Sequence, residues 1–186
     1  MSHIEEHDMK KLNMGCGRDI REGWVNLDMR SVPGVDVIHD LNMTPLPFKD
    51  EAFNYILADN VLEHLLHYEA IVEDCYRILE PGGLLEIRVP YGITGLRSTY
   101  HLRMFDMNTL RCFCLSEKAR AVSRGYQESP RFEMVRIKAI RHLPLKWHLD
   151  HYFGIKTDIG IGRRYEIHAL LRKPITIPRY VNSGGK

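Results

Sequence analysis

The segment KKLNMGCGRDIREGWVNLD, Lys10 to Asp28, constrains this chain more than any other. A short apolar strand, Leu12 to Met14, runs into a Gly15-Cys16-Gly17 turn. A second short strand, Trp24 to Leu27, closes on the acid Asp28. Glycines in such a turn leave the backbone open to a ligand, because no side chain stands in the way. An acid at the end of the next strand is where doubly wound α/β proteins place the group that holds a ribose diol. The segment therefore reads as a site for an adenosine-containing cofactor. A dinucleotide fits poorly, since its pyrophosphate needs helix N-terminal amides and a third small residue, as in GxGxxG. Here that position is Ile20, and Arg18 to Gly23 is too short for a full helix.

The chain downstream alternates strands with turns and one clear helix. A Pro33-Gly34 turn precedes VDVIHD, a third strand from Val35 that closes on Asp40. Pro45 and Pro47 make Asn42 to Glu51 a loop, and FNYILAD, Phe53 to Asp59, reads as a fourth strand. Successive short strands of this kind suit a parallel sheet. Tyr68, Ile71, Val72, Cys75 and Leu79 then recur at helical spacing, and Pro81-Gly82-Gly83 is expected to end that helix. LLEIRV, Leu84 to Val89, is the fifth strand. Beyond a loop from Gly92 to Phe105, Asp106 is a natural N-cap for a helix carrying Leu110, Phe113 and Cys114. Ser116 is placed to cap a second short helix, Phe132 to Ile140 alternates as a half-buried strand, and a helix after Pro144 is one reading of His142 to Ile155. YEIHALLR, Tyr165 to Arg172, is the last strand.

At 186 residues the chain suits one domain, expected over 1–173, followed by a flexible tail, 174–186. Nothing approaches the roughly 18 consecutive apolar residues of a membrane span. The polar start MSHIEEHDMKK resembles neither a signal nor a transit peptide. Cys16, Cys75, Cys112 and Cys114 show no disulfide-framework spacing, so reduced thiols and a cytoplasmic setting are expected. Charge is uneven. Residues 1–90 carry 8 Lys/Arg against 17 Asp/Glu, and residues 91–173 carry 16 against 7. A basic second half suits an anionic substrate, nucleic acid or a membrane surface, or else it is a set of solvated faces.

NMGCG, Asp28, HDLNMTPLPFKDEAFNYILADNVLEHL and YRILEPGGLLEIRVP resemble, in order and spacing, successive motifs of class I S-adenosylmethionine (SAM)-dependent methyltransferases of the type 11 family. The resemblance covers about Leu12 to Pro90 and continues more faintly through HLRMFDMNTLRCF. It implies a Rossmann-like, doubly wound α/β fold whose mostly parallel sheet has seven strands, the last antiparallel. It also implies SAM as cofactor. By that resemblance Gly15, Cys16 and Gly17 pass under the methionine part, Asp28 holds the ribose hydroxyls, and Asp40 and Leu41 meet the adenine. Asp59 and Asn60 lie near the amino-acid end and the methyl group. Asn13 stands where many members carry an acid near the SAM amine, and its amide oxygen can accept a hydrogen bond without supplying charge.

The expected activity is methyl transfer to an oxygen or nitrogen of a small metabolite or glycan, polar or anionic in character. Two alternatives differ in class. A nucleic-acid methyltransferase would draw on the basic second half, but Asp59-Asn60-Val61-Leu62 has no prolines to form the N/D-P-P-Y/F motif of base amino-methylases. A non-catalytic SAM-binding protein would need the donor site alone. Methyl transfer asks a protein to align the reacting atoms, exclude water and sometimes take a proton. His64, in ADNVLEHL, and His101, in STYHLRMF beside Arg97, Tyr100 and Arg103, are the candidate catalytic residues. No metal is expected, because the pairs His64/His67 and His148/His151 and the Cys112-x-Cys114 thiols form no recognised four-ligand set.

Overall fold

The computed structural model describes residues 10–92, 98–114, 132–142 and 164–175. In chain order these form strands β1 (Lys11–Met14), β2 (Val25–Asp28), β3 (Val37–Ile38) and β4 (Phe53–Asp59), then a 3-10 turn (Leu62–His64). Helix α1 (Tyr68–Ile78), strand β5 (Leu79–Pro90), helix α2 (Met107–Arg111) and strands β6 (Glu133–His142) and β7 (Arg164–Arg172) follow. The seven strands make one sheet in the order β3-β2-β1-β4-β5-β7-β6. From β3 across to β5 every pairing is parallel, whereas β7 runs antiparallel to both β5 and β6. This is the Rossmann-like α/β sheet with an antiparallel last strand that the motifs imply.

Register sorts the side chains into two unlike faces, because residues paired across strands share a side. Ile56 pairs with Leu85 and Ala58 with Ile87, and Leu12 and Met14 of β1 fall in the same rows. This apolar face packs on α1, whose Ile71, Val72, Cys75 and Ile78 are buried. The Cys75 Sγ lies 3.9 Å from the Met14 Sδ, so helix and β1 are in direct contact. The opposite face is polar. Tyr55 donates its hydroxyl to Glu86, and Arg88 bridges Glu86 at 2.8 Å and Asp59 at 2.9 Å. Trp24 stands edge-on to Tyr55, with Lys11 and Arg21 over its ring. Among the described residues no helix joins β1 to β2 or β2 to β3, and this aromatic and charged layer lies where such helices would pack.

Three local expectations change. The Pro81-Gly82-Gly83 stretch does not cap α1, which ends one step earlier, at an extended Leu79. Instead it runs inside β5, where the register against β4 shifts, and Gly82 and Gly83 exchange backbone bonds with Lys173. A Cβ on Gly83 would lie 2.9 Å from the Glu80 carbonyl, so the glycine serves a bulge. Next, the third strand shrinks to Val37–Ile38, because β2 ends at Asp28 and offers no further ladder partners. Finally, the context ADNVLEHL places His64 in a helix's first turns, but it sits in a separate 3-10 turn ahead of α1. Asp106 does cap α2, in a reciprocal capping box with Thr109. The anticipated helices at Ser116 and after Pro144, and most of the C-terminal tail, fall outside the described residues. Among the described residues no helix is long and apolar enough to cross a membrane.

Candidate functional site

In an open parallel sheet the ligand crevice lies outside the carboxyl ends of the strands, where the strand order reverses. Here that point is between β1 and β4, and a cavity of about 610 Å³ opens there. Gly15 and Gly17 line it beyond β1. Asp28, Asp40 and Leu41 line it on the β2–β3 side, and Asn60, Val61, His64 and Tyr100 on the β4 side.

The glycine turn is built from both directions. Gly15 has φ +66°, and a Cβ placed on it would lie 2.6 Å from the Val61 Cγ2. The missing side chain therefore makes room for the protein's own Val61, which is 6% exposed, as well as for any ligand. Gly17 donates its N–H to the Asp28 Oδ2 at 2.8 Å, while Arg30 donates to Oδ1 through its N–H at 2.9 Å and its Nε at 3.2 Å. A carboxylate accepts about four hydrogen bonds, so Asp28 keeps capacity for a further donor at the cavity wall. Burial alone would raise its carboxyl. The Arg30 and Gly17 amides and the Arg30 guanidinium outweigh that and hold it below the usual carboxylate range. A rigid, ionised acceptor beside a side-chain-free turn fits the ribose diol of an adenosyl group.

Other expected residues divide. Asp40 is exposed, with Oδ1 accepting from the Asn42 N–H and side-chain amide, and Leu41 is buried beside it. Asn60 adopts φ +52° and turns the chain into the cavity wall. Asn13, Cys16 and Asp59 are not among the lining residues. The Asn13 amide points into the protein and donates to the Asp19 carbonyl at 2.6 Å and the Asn26 Oδ1 at 3.1 Å. It stitches the β1–β2 connection in place of a helix. Cys16 is buried, its N–H on the Leu27 carbonyl. Asp59 is held by Arg88 and by the side-chain amide of Asn60.

The two histidines, 37 positions apart in sequence, meet. His64 is exposed at the cavity wall, and the His101 ring lies edge-on to it with centroids 4.7 Å apart. The His64 Nδ1 is 3.0 Å from the Tyr100 carbonyl, which only a donor can satisfy, so Nδ1 carries a proton and, in the neutral ring, Nε2 keeps its lone pair. Behind them lies Glu63, which sequence reading passed over. Its side chain is fully buried, neither carboxylate oxygen has a hydrogen-bond partner, and the His101 Nε2 is 4.0 Å from Oε1. Burial, with smaller contributions from the Asp59 and Glu166 charges, pushes its carboxyl up to about 7. The flanking Leu62 and Leu65 were the available signal, since an acid between two core leucines on a tight turn has little route to solvent.

Residues 98–105 are strapped onto this corner. Leu102 donates its N–H to the Glu63 carbonyl at 2.8 Å, and Arg103 donates through Nη2 to the carbonyls of Leu65 and Leu66, both at 2.8 Å, over the Tyr68 ring. Arg103 is thus engaged with backbone. Arg97, Ser116, His148 and His151 lie outside the described residues.

Comparison with known proteins agrees with this geometry. Residues 12–87 match the family of the methyltransferase domain, type 11. A protein of Mycolicibacterium smegmatis, named a probable S-adenosylmethionine-dependent methyltransferase, is 33% identical over 78 residues, covering 42% of this chain and 30% of its own. The chain spans less than a third of the length of the curated relatives it matches. A SAM-dependent methyltransferase of Methanosarcina mazei shares the fold at TM-score 0.56 and 13% identity, covering 90% of this chain and 93% of its own. The [4+2]-cyclase SpnF shares it at TM-score 0.59 and 19% identity, over 90% and 75% respectively. Residues 12–87 thus match the type 11 methyltransferase domain, and the matched motifs stand on the strand ends that such a fold requires.

Proposed function

We propose that this protein transfers a methyl group to an oxygen or nitrogen of a small metabolite or glycan. The observation that carries the reading is the Asp28 carboxylate, locked by the Gly17 amide at 2.8 Å on the rim of a cavity that continues to His64. One end of that cavity suits an adenosyl group and the other carries imidazole. When bound, SAM supplies a methyl group on a positively charged sulfur, ready for in-line displacement. Asp28 accepts from the ribose hydroxyls, and Asp40 and Leu41 offer the adenine a polar edge and an apolar face. Gly15 and Gly17 let the chain pass close beneath the amino-acid portion. At the β4 side His64 presents its Nε2 lone pair to an incoming hydroxyl or amine, and Tyr100 walls the space above it. Alignment of this sort, more than acid–base strength, is what the displacement asks of a protein. The reading includes one catalytic domain over 1–173 and a cytoplasmic setting, for which the four free thiols are support.

Titration calorimetry with SAM and S-adenosylhomocysteine tests the donor half, and transfer of labelled methyl to a panel of hydroxyl and amine acceptors tests the rest. Saturable binding with transfer to an acceptor of either kind is expected. Failure of both ligands to bind at millimolar concentration would end the methyltransferase reading. Binding with no transfer across the panel would favour a non-catalytic SAM-binding protein.

A further inference from the structure

We propose that Glu63, His64 and His101 hold a divalent transition-metal ion at the β4 end of the cavity. One ring nitrogen of each histidine and a Glu63 carboxylate oxygen lie within 4.8 Å of one another. The orphaned carboxylate is the independent indication. Glu63 is 0% exposed with both oxygens lacking a hydrogen-bond partner, and a buried carboxylate is ordinarily paired with a cation or bound to a metal.

The surroundings are those of a ligand set. A metal-binding histidine almost always donates its other N–H to a carbonyl or carboxylate, which fixes its tautomer. His64 does this through Nδ1 to the Tyr100 carbonyl at 3.0 Å, leaving the Nε2 lone pair for the ion. His101 is brought in on a segment fixed at three points: His101 N–H to the Ser98 carbonyl, Leu102 N–H to the Glu63 carbonyl, and Arg103 to the carbonyls of Leu65 and Leu66. Bonds of about 2.0–2.2 Å to zinc place tetrahedral ligand atoms about 3.3–3.6 Å apart. The 4.0 Å between the His101 Nε2 and the Glu63 Oε1 is close to that edge, and all three ligand atoms lie within 4.8 Å of one another.

The donor types select the ion. Two imidazoles and one carboxylate suit Zn²⁺ and its first-row neighbours, whereas Mg²⁺ and Ca²⁺ take mostly oxygen ligands. Three protein ligands, short of the four of a structural zinc, leave a coordination position for water or substrate. Of the three ligands His64 lines the cavity, so the site borders it at that residue. Resting on the proposed methyl transfer, the ion would take up the His64 Nε2 lone pair, bind the acceptor oxygen in place of that histidine, and ease release of the acceptor's proton to water.

Equilibrium dialysis of the tag-free full chain against Zn²⁺, after treatment with a chelator, tests the site. One Zn²⁺ per chain is expected, undisturbed by equal Mg²⁺, with affinity falling about hundredfold or more in Glu63→Gln, His64→Ala and His101→Ala. Co²⁺ loaded in place of Zn²⁺ should give visible absorption that the same variants abolish. Absence of stoichiometric Zn²⁺, or binding that survives in the Glu63→Gln/His101→Ala double variant, would overturn the proposal, the latter by assigning the metal to other histidines. Should the buried Glu63→Gln fail to fold, His64→Ala at an exposed position still decides. SAM binding measured in parallel separates the two ideas. Zn²⁺ bound without SAM keeps the metal site and defeats methyl transfer, and SAM bound without Zn²⁺ does the reverse.

Discussion

Replacing Gly15 by alanine tests why the turn beyond β1 needs glycine. Two contributions are expected. A left-handed φ of +66° costs a residue with a Cβ about 1–2 kcal/mol. The new methyl would also sit 2.6 Å and 3.0 Å from the two γ-carbons of a buried Val61, and overpacking of this kind costs about 1–3 kcal/mol. The sum, about 2–5 kcal/mol, corresponds to a fall in Tm of about 4–20 °C at about 2–4 °C per kcal/mol for a chain of this size. Val61→Ala removes both offending carbons and leaves only the Val61 Cβ, 3.4 Å away. On its own it should destabilise by about 2 kcal/mol through two buried methyl groups and the space they leave. In the Gly15→Ala/Val61→Ala protein the overpacking disappears while the backbone strain remains. Thermal and urea unfolding of the four proteins should therefore give a favourable coupling of about 1–3 kcal/mol. Additivity within about 0.5 kcal/mol would refute the reasoning and return the glycine to ligand access alone.

Asp28→Ala should weaken SAM binding by about tenfold or more in calorimetry, since the one further hydrogen bond this charged acceptor can take contributes about 1.5 kcal/mol. Unchanged affinity would remove Asp28 from the ribose. The same carboxyl has its folded-state pKa held below the unfolded value, so the stability it contributes is present above the unfolded pKa, about 3.9, and lost as pH falls through the folded value. Melting curves from about pH 5 down to about pH 2 should accordingly be steeper for the natural chain than for Asp28→Asn. Arg103→Lys should speed amide exchange over residues 98–105, because an ammonium lacks the planar fork that reaches the carbonyls of both Leu65 and Leu66. Asp106→Ala should cost about 1 kcal/mol, seen in urea unfolding, through loss of the capping box on α2.

What the amino-acid sequence made legible is what short segments encode by themselves. Leu12 to Met14, the glycines, Asp28 and Phe53 to Asp59 are local strand-and-turn signals, and the parallel half of the sheet follows from them. The Asn13 Nδ2 bonds to Asp19 and Asn26 are set by a connection with no helix in it, which the residue's type and place do not reveal. Pro81-Gly82-Gly83 reads as a helix stop by composition. That it is a bulge in β5 depends on Lys173, about 90 positions away, which no local pattern carries. Spacing arguments about metals compared histidines on a single segment, and so missed a trio whose members come from two.

The same division bears on chemistry. The donor side of the cavity consists of backbone turns and one carboxylate supplied by β1 to β3, a device that fold relatives of very different sequence can share. One such relative is described as a [4+2]-cyclase, so this architecture by itself does not dictate which bond is made. The discriminating groups must then lie where the reacting atoms meet, at the β4 end. In this chain that corner is assembled by long-range contacts: Glu63 and His64 from one turn, His101 from a strap that Arg103 ties down, and Tyr100 over the opening. A buried carboxylate without a hydrogen-bond partner is a poor choice for stability alone. Its presence beside two imidazoles, one of them on the cavity wall, is why the acceptor chemistry is to be sought there, and why Glu63 is the residue to change first.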